Sequence, residues 1–264
     1  MKRKAGGEML SAIEDRQQQI VNYLKVNQFA TVADLIDLVN YSEATVKRDL
    51  VLLEENGLIR RTRGGAMIID NKKIDVPYLM KVTRLNEEDN KQYIADIAET
   101  LVKDDMVIFL DSSTTSLHLI KNLSKFDGLQ VITNGVLTAA MLSEFTTAHV
   151  SILGGSIVPK RATINGSKAY NDTLTYNADI AFIGCRGLDF VHGVTETHEG
   201  EALIKKAFRR QANHLVVLAT EDKLDHKYMY QAIACHEIDY LITEKPVSAE
   251  KMAKLNHHHI KCLY

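Results

Sequence analysis

Two stretches of this sequence carry side chains whose types and spacing suit chemistry. One is Asp111-Ser112-Ser113-Thr114-Thr115, a carboxylate and a row of hydroxyls set between an apolar run, 106–110, and a helical pattern, 114–123. Hydroxyls at the positive end of a helix dipole, beside backbone N–H groups with no partner inside the helix, suit an anion such as a phosphate. The same cluster also serves as a plain helix cap, and its chemistry alone does not separate the two. The other stretch is 42–66, SEATVKRDLVLLEENGLIRRTRGGA. Ser42 is placed to cap a helix in which Val46, Leu50 and Leu53 recur at i, i+4, i+7 and mark a buried face. The opposite face then presents Ala44 and Arg48, flanked by Thr45 and Lys47, a small, cationic, hydrogen-bonding surface that a major groove accepts.

The elements around that helix follow from the same patterns. Gly57 is the expected C′ stop, and Leu58-Ile59 followed by Arg60, Arg61, Arg63, Gly64 and Gly65 reads as a hairpin with a basic tip, a wing to lie along phosphates. Asp49 falls toward the buried side, where it is expected to orient the cations of the wing rather than read a cytosine. Upstream, 16–26 reads as a first helix with Ile20, Val21 and Leu24 on its apolar stripe. Thr31 with Asp34 caps a second helix, whose buried side is expected to be Leu35, Leu38 and Val39, and Asn40-Tyr41 is the turn. Three helices and a basic hairpin make a winged helix-turn-helix over 1–69. The plainer reading is a small helical subdomain that touches no nucleic acid.

From 70 to 89 the periodicity lapses around Pro77, which marks a linker before a larger domain at 90–264. Helical patterns at 90–102, 114–123 and 199–211 alternate with strand-like runs at 106–110, 129–132, 150–153, 180–183, 215–218 and 240–242. That alternation predicts an α/β domain with a mainly parallel sheet covered on both faces. In such sheets ligands bind beyond the carboxyl ends of the strands. The residues there are small or polar: Asp111 to Thr115, then Thr133-Asn134-Gly135, then Gly154-Gly155, then Gly184-Cys185-Arg186-Gly187. Together they describe a cleft floor that a ligand can approach closely. Lys205 and Lys223 are candidates to bring positive charge to its rim, although for either lysine alone a solvated surface position is the plainer expectation.

The run TVADLIDLVNYSEATVKRDLVLLEENGLIRRTRGGA resembles the helix-turn-helix signature of the DeoR family of bacterial transcriptional regulators. The matching positions are Ser42, Thr45, Val46, Lys47, Arg48, Asp49 and Leu50 on the recognition helix, Leu53, Glu54 and Gly57 at its stop, and Arg61, Gly64, Gly65 and Ala66 in the wing. Lys47 stands where the family more often has arginine, which keeps the charge and loses the bidentate fork; Lys47 is therefore expected on phosphate and Arg48 nearer a base. The second half resembles the family's sensor domain, similar in fold to ribose-5-phosphate isomerase, through FLDSSTTSLHLIKNL, VITN, ILGG, Gly166, AFIGCRGLD, GVT with Glu199 and Lys205, and LATEDKLD. The last segment keeps Lys223 but has Thr220 and Asp222 where the family has an aspartate and a hydroxyl, which puts ligand contacts at that corner in question. The resemblance implies a pocket for a phosphorylated sugar formed by Asp111, Ser112, Ser113, Thr114, Thr115, Thr133, Asn134, Gly154, Gly155, Arg186, Glu199, Lys205 and Lys223, with no turnover. It implies a repressor of sugar or polyol metabolism that binds operator DNA as a homo-oligomer, since a single helix-turn-helix reads one half-site.

Bulk properties narrow the alternatives. A formal net charge of -2 over 264 residues excludes a general polycation, so attraction for DNA must come from the clustered arginines, and a DNA-bending architectural protein fits poorly. A sugar-phosphate isomerase with an accessory DNA-binding part could use Asp111 or Glu199 as its base, but the Lys-Gly-Gly-Gly-Gly and Arg-Glu-Lys segments that resemblance to the isomerases would require are absent from the sequence. Cys185, Cys235 and Cys262 form no C-x-x-C pair, and the adjacent His257, His258 and His259 do not share a face; neither a metal site nor another cofactor is expected. The basic first ten residues lack the apolar core of a signal peptide and read as a flexible leader, and no run is long and apolar enough for a membrane span, so a cytoplasmic location is expected.

Overall fold

A computed structural model describes residues 4–55, 58–62, 64–68 and 89–264. Gly57, Arg63 and residues 70–88 of the linker expected over 70–89 lie outside the described residues. The chain divides into two compact units, 1–80 and 81–264.

In the smaller unit, helix α1 (Lys4–Asn27) is followed by β1 (Phe29–Thr31), α2 (Val32–Val39), α3 (Glu43–Glu55) and the strands β2 (Ile59–Thr62) and β3 (Gly65–Ile68). Residues from Lys4 on, expected as a flexible leader, continue α1. Helix α2 carries the anticipated reciprocal cap: Asp34 N donates to Thr31 Oγ1 at 3.1 Å, and Thr31 N donates to Asp34 Oδ2 at 2.9 Å. Asn40 ends it in the left-handed region at φ 54°. Ile20, Leu24, Leu35, Val46, Leu50, Leu53 and Ile59 are fully or almost fully buried in one core. Leu38, expected with them, is 37 % exposed, because the α2 stripe runs through Leu35 and Val39, a single i, i+4 pair. The wing is a sheet in the order β1-β3-β2, antiparallel throughout, with Arg61 opposite Ala66 and Thr62 opposite Gly65. Strand β1 adds an unanticipated edge; three residues are too few to show alternation.

The larger unit begins with α4 (Asp89–Glu99), then β4 (Val107–Leu110), α5 (Thr114–Leu123), β5 (Gln130–Thr133), α6 (Val136–Phe145) and β6 (His149–Ile152). The hairpin β7 (Ser156–Val158) and β8 (Thr163–Asn165) leads through α7 (Ser167–Thr173) to β9 (Ala178–Gly184). Then come β10 (Gly187–Asp189), β11 (Gly193–Glu196), α8 (Glu199–Gln211), β12 (Ala212–Leu218), β13 (Tyr230–Ile233), β14 (Tyr240–Ile242), α9 (Ala249–His257) and β15 (Lys261–Leu263). A seven-stranded sheet in the order β15-β14-β12-β9-β4-β5-β6 is parallel at every pairing. Phe109 and Phe208 stack at 4.5 Å between centroids, joining sheet and helix in a core that includes Ile183, Leu215, Val217 and Leu241.

The strand order fixes where a ligand can enter. From β4 the chain runs outward through β5 to β6; from β9 it runs the other way through β12 and β14 to β15. Because β4 and β9 are neighbours, the direction of winding reverses between them, and the loops that leave their carboxyl ends part and open a crevice there. Asp111 follows β4 directly, and Gly184 ends β9. Among the described residues no helix is long and apolar enough to cross a membrane.

Candidate functional site

The exposed face of α3 is the first candidate. Ser42 caps the helix, its Oγ accepting from Thr45 N at 3.3 Å and lying 2.9 Å from Thr45 Oγ1, so both hydroxyls are engaged at the helix start. Ala44, Lys47 and Arg48 are exposed and Thr45 is half-buried, the arrangement anticipated from the spacing. Lys47 Nζ lies 2.7 Å from Glu43 Oε1 one turn earlier, and this contact holds the Glu43 carboxyl below its ordinary value. Arg48 and Arg60 are exposed and make no ion pair among the described residues.

Two expectations for this unit, those for Asp49 and Gly65, are corrected. Asp49 is buried and accepts from Arg16 of α1, Nε to Oδ2 at 2.6 Å and Nη2 to Oδ1 at 3.1 Å, so it orients a helix partner and not the wing. Arg61 is exposed and pairs with Glu54, donating from Nε at 2.7 Å and from its backbone N at 2.8 Å. Gly65, named with the DNA-facing residues, is buried where β3 passes β1; a Cβ there would collide with the Ala30 carbonyl, so the glycine serves the sheet. Gly64 is exposed, and Arg63 lies outside the described residues.

The second candidate is the crevice between β4 and β9. Asp111 is 2 % exposed and both its oxygens are occupied: Oδ1 accepts from Ser113 N at 3.0 Å and from Ser116 Oγ at 2.6 Å, and Oδ2 accepts from Gly184 N at 2.9 Å. Lys205, on the first turns of α8, is also buried. Its Nζ donates to Gly184 O at 2.7 Å, pairs with Glu196, and lies 3.2 Å from Asp111 Oδ2. The surface position expected for Lys205 is therefore wrong, because α8 turns this residue inward toward Phe208 and Ile204, and two buried carboxylates receive the ammonium. Burial disfavours the charged form of Asp111, yet Lys205 and the donors of Ser116 and Ser113 outweigh it and hold the carboxyl below its ordinary value. Burial raises Glu196 even beside Lys205, since one ammonium is shared between two carboxylates. A side chain at Gly184 would strike Ser113, so only glycine lets the end of β9 lie against the start of α5.

Above this buried layer lie the groups that remain reachable. Ser112, Ser113 and Thr114 are half-buried, while Thr115 faces the core of α5 and is fully buried. Ser113 caps α5, accepting from Ser116 N at 3.1 Å, and Ser112 donates to Thr163 Oγ1 at 2.9 Å. Thr133 accepts from Gly135 N and Asn134 Nδ2 donates to Thr163 Oγ1 at 2.9 Å, which ties the β5 end to β8, while the buried Asn134 Oδ1 has no partner among the described residues. Gly154 N donates to Asp172 Oδ2 at 2.8 Å, and Gly155 is exposed at the end of β6. Glu199 is exposed on the first turn of α8. Thr220 and Asp222 bond to each other beside half-buried Lys223. Burial pushes the Cys185 thiol up to about 11 against the opposing pull of Lys223 and Lys205. Arg186 is half-buried with its guanidinium 5.5 Å from the centroid of Tyr228.

The structure adds cations that the sequence did not single out. Lys91 of α4 donates to Thr114 Oγ1 at 2.9 Å, bringing positive charge to the hydroxyl cluster. Arg161 reaches Glu201 at 2.7 Å from the loop between β7 and β8. Lys160 (φ 64°) and Ala162 (φ 51°) flank it in the left-handed region, strain that non-glycine residues accept only where surrounding bonds hold them. Here Ala162 O accepts from Val136 N at 2.9 Å. Lys168 passes beside Gly154. The adjacent Lys160 and Arg161, five residues before Gly166, are the sequence signal that could have pointed to this loop.

Comparisons with known proteins bear on both candidates. A family model described as a DeoR-like helix-turn-helix domain matches residues 16–72, and one described as the DeoR C terminal sensor domain matches 86–245. The chain is 34% identical to the HTH-type transcriptional repressor GlcR of Bacillus subtilis over 232 residues, covering 88% of each protein. It is 31% identical to the HTH-type transcriptional regulator GolR of Listeria innocua, covering 89% of this chain and 91% of the relative. Among solved structures it is similar to ribose 5-phosphate isomerase A from Methanocaldococcus jannaschii, with 23% identity, a TM-score of 0.40 and coverage of 52% of this chain and 55% of that one.

Proposed function

This chain belongs to the DeoR family of transcriptional regulators, and from that premise we propose that it represses a sugar- or polyol-metabolism operon, with a phosphorylated sugar bound in the β4–β9 crevice setting its affinity for operator DNA. The observation that carries the effector half of this reading is the composition of the crevice at the point where the sheet reverses its winding. Half-buried hydroxyls of Ser112, Ser113 and Thr114 stand there at the start of α5, with Lys91 bonded to one of them. Such a mouth matches a phosphate through hydroxyl donors, the helix dipole and a point charge. Lys223, half-buried in the short turn that follows β12, is the further cation for the same group, with Glu199 and Arg186 as candidates for the sugar hydroxyls.

Binding without turnover is supported by the state of Asp111. Each of its oxygens already accepts protein hydrogen bonds, and Lys205 neutralises it, so it has no free lone pair directed at a substrate proton. For the DNA half, the exposed Ala44, Lys47 and Arg48 of α3 and Arg60 of the wing form the reading face. A single copy reads one half-site, so the active form is a homo-oligomer with half-sites about one turn apart or at multiples of it. Coupling between effector and operator is reciprocal and amounts to about 1–3 kcal/mol in typical cases.

The test is a thermal-shift screen of phosphorylated sugars and polyols, followed by release of a DNA duplex that the protein has itself selected from a random pool. A phosphorylated compound that raises the melting temperature and changes duplex affinity supports the reading. A compound of another class that does both, with no phosphorylated sugar active, overturns it.

A further inference from the structure

Among the described residues of the smaller unit, the ion pair between α1 and α3 is the most buried. Arg16 and Asp49 meet as a two-pronged fork at 2.6 and 3.1 Å, with side chains 10% and 3% exposed. Gln17 Nε2 adds a third bond to Asp49 Oδ1 at 3.2 Å. The Arg16 guanidinium also lies 4.3 Å from the centroid of Tyr41, the residue at the turn between α2 and α3. One arginine thus grips both the turn, at Tyr41, and the middle of the recognition helix, at Asp49.

Resting on the DNA-reading assignment of α3, we infer that Arg16 and Asp49 are positioning residues for base recognition, fixing the rotation of α3 about its axis and hence the direction of Arg48. Three considerations support this. A buried ion pair adds little stability compared with apolar residues of the same volume, so stability alone does not account for it. The apolar anchors Val46, Leu50 and Leu53 are non-directional and tolerate a small roll of the helix, whereas a bidentate fork does not. Arg48 adjoins Asp49 in sequence and projects from α3 about 100° away around the axis. A roll of about 20° displaces a group about 6 Å from the axis by about 2 Å, enough to break a bidentate contact with a base edge.

The experiment uses the full chain and two DNA probes: the duplex that the wild-type protein selects from a random pool, and a random-sequence duplex of equal length. The variants are Arg16→Lys, which keeps the charge and loses the fork, and the double replacement Arg16→Met with Asp49→Leu, which refills the space with apolar groups. The double variant is expected to melt at or above the wild-type temperature. It should lose about tenfold or more of its preference for the selected duplex. Its affinity for the random duplex, and the salt dependence of that affinity, should stay unchanged because the phosphate contacts remain. Arg16→Lys should show the same loss of preference. If either folded variant keeps the full preference, the pair is only structural and the inference is overturned. A wild-type protein that selects no sequence removes the DNA-reading premise itself, an outcome distinct from variants that go on selecting.

Discussion

Lys205 Nζ lies 3.2 Å from Asp111 Oδ2 while also donating to Gly184 O and pairing with Glu196, so one buried ammonium serves two buried carboxylates beneath the crevice. The cluster links the ends of β4 and β9 to β11 and α8, the elements that frame the point where the sheet reverses. Its work is to hold the floor, while the groups above it meet the ligand.

Lys205→Met should therefore unfold the larger unit readily. Removing the cation leaves Asp111 and Glu196 uncompensated, and breaking a buried pair from one side costs about 3–5 kcal/mol. Urea denaturation followed by circular dichroism measures this. A loss under about 1 kcal/mol would mean that the cluster is not a structural tie.

Glu196 predicts a pH dependence. Burial raises its folded-state value above the ordinary carboxyl value of about 4.3, so the folded unit holds this proton more tightly than the unfolded chain. The corresponding stability is fully present below about pH 4.3 and declines as pH rises through the raised folded value. Glu196→Gln removes the titration, so the wild-type urea midpoint should fall more steeply than that of the variant as pH rises above the ordinary carboxyl value of about 4.3. Parallel profiles would show that Glu196 titrates normally.

Most of the strand-helix alternation of the larger unit was legible in the sequence, because buried parallel strands are short apolar runs and their helices carry a clear period. The limits 114–123, 199–211 and 240–242 agree with the structure to the residue. The strand order was not legible, since pairing β4 with β9 depends on contacts about seventy residues apart. Without that pairing the crevice had no location, and Lys205 looked like any surface lysine. Asp49 illustrates the same limit: the helical wheel correctly turned it inward, but its partner Arg16 comes from an element that the periodicity cannot orient. The β7–β8 hairpin and the β10-β11-β13 sheet were missed because three- and four-residue strands leave no alternation to detect.

Lys223→Ala separates ligand binding from stability. Lys223 is half-buried in a short 3-10 turn and is not part of the buried cluster, so the melting temperature without ligand should barely change. Loss of a charged hydrogen bond to a phosphate should weaken binding of the active sugar phosphate about 10- to 100-fold. Calorimetry reads this directly, and equal affinity in variant and wild type would remove Lys223 from the site. Affinity for the selected duplex in the absence of effector should be unaltered.

Arg48→Ala addresses recognition. Arg48 is exposed on α3 with no ion pair among the described residues, so its replacement should leave the fold intact. It should cost about 1–3 kcal/mol against the selected duplex and relax preference at one base position. Repeating the selection with the variant tests both, and an unchanged consensus at unchanged affinity would assign Arg48 to solvent.

Glu54→Gln tests the wing. In the structure Glu54 accepts from Arg61 Nε at 2.7 Å and from Arg61 N at 2.8 Å, and this contact holds its carboxyl below the ordinary value. Both side chains are substantially exposed, so the pair contributes at most about 1 kcal/mol to stability. It also competes with DNA, because a guanidinium held by a carboxylate must leave it before it can reach a phosphate. Glutamine keeps an acceptor for the backbone N–H and removes the charge that retains the guanidinium. The variant should therefore bind the random-sequence duplex more tightly, and the slope of log affinity against log salt should steepen by about one ion. If the slope is unchanged while the variant melts like wild type, Arg61 stays with residue 54 on DNA, and the wing attracts phosphates through its other arginines.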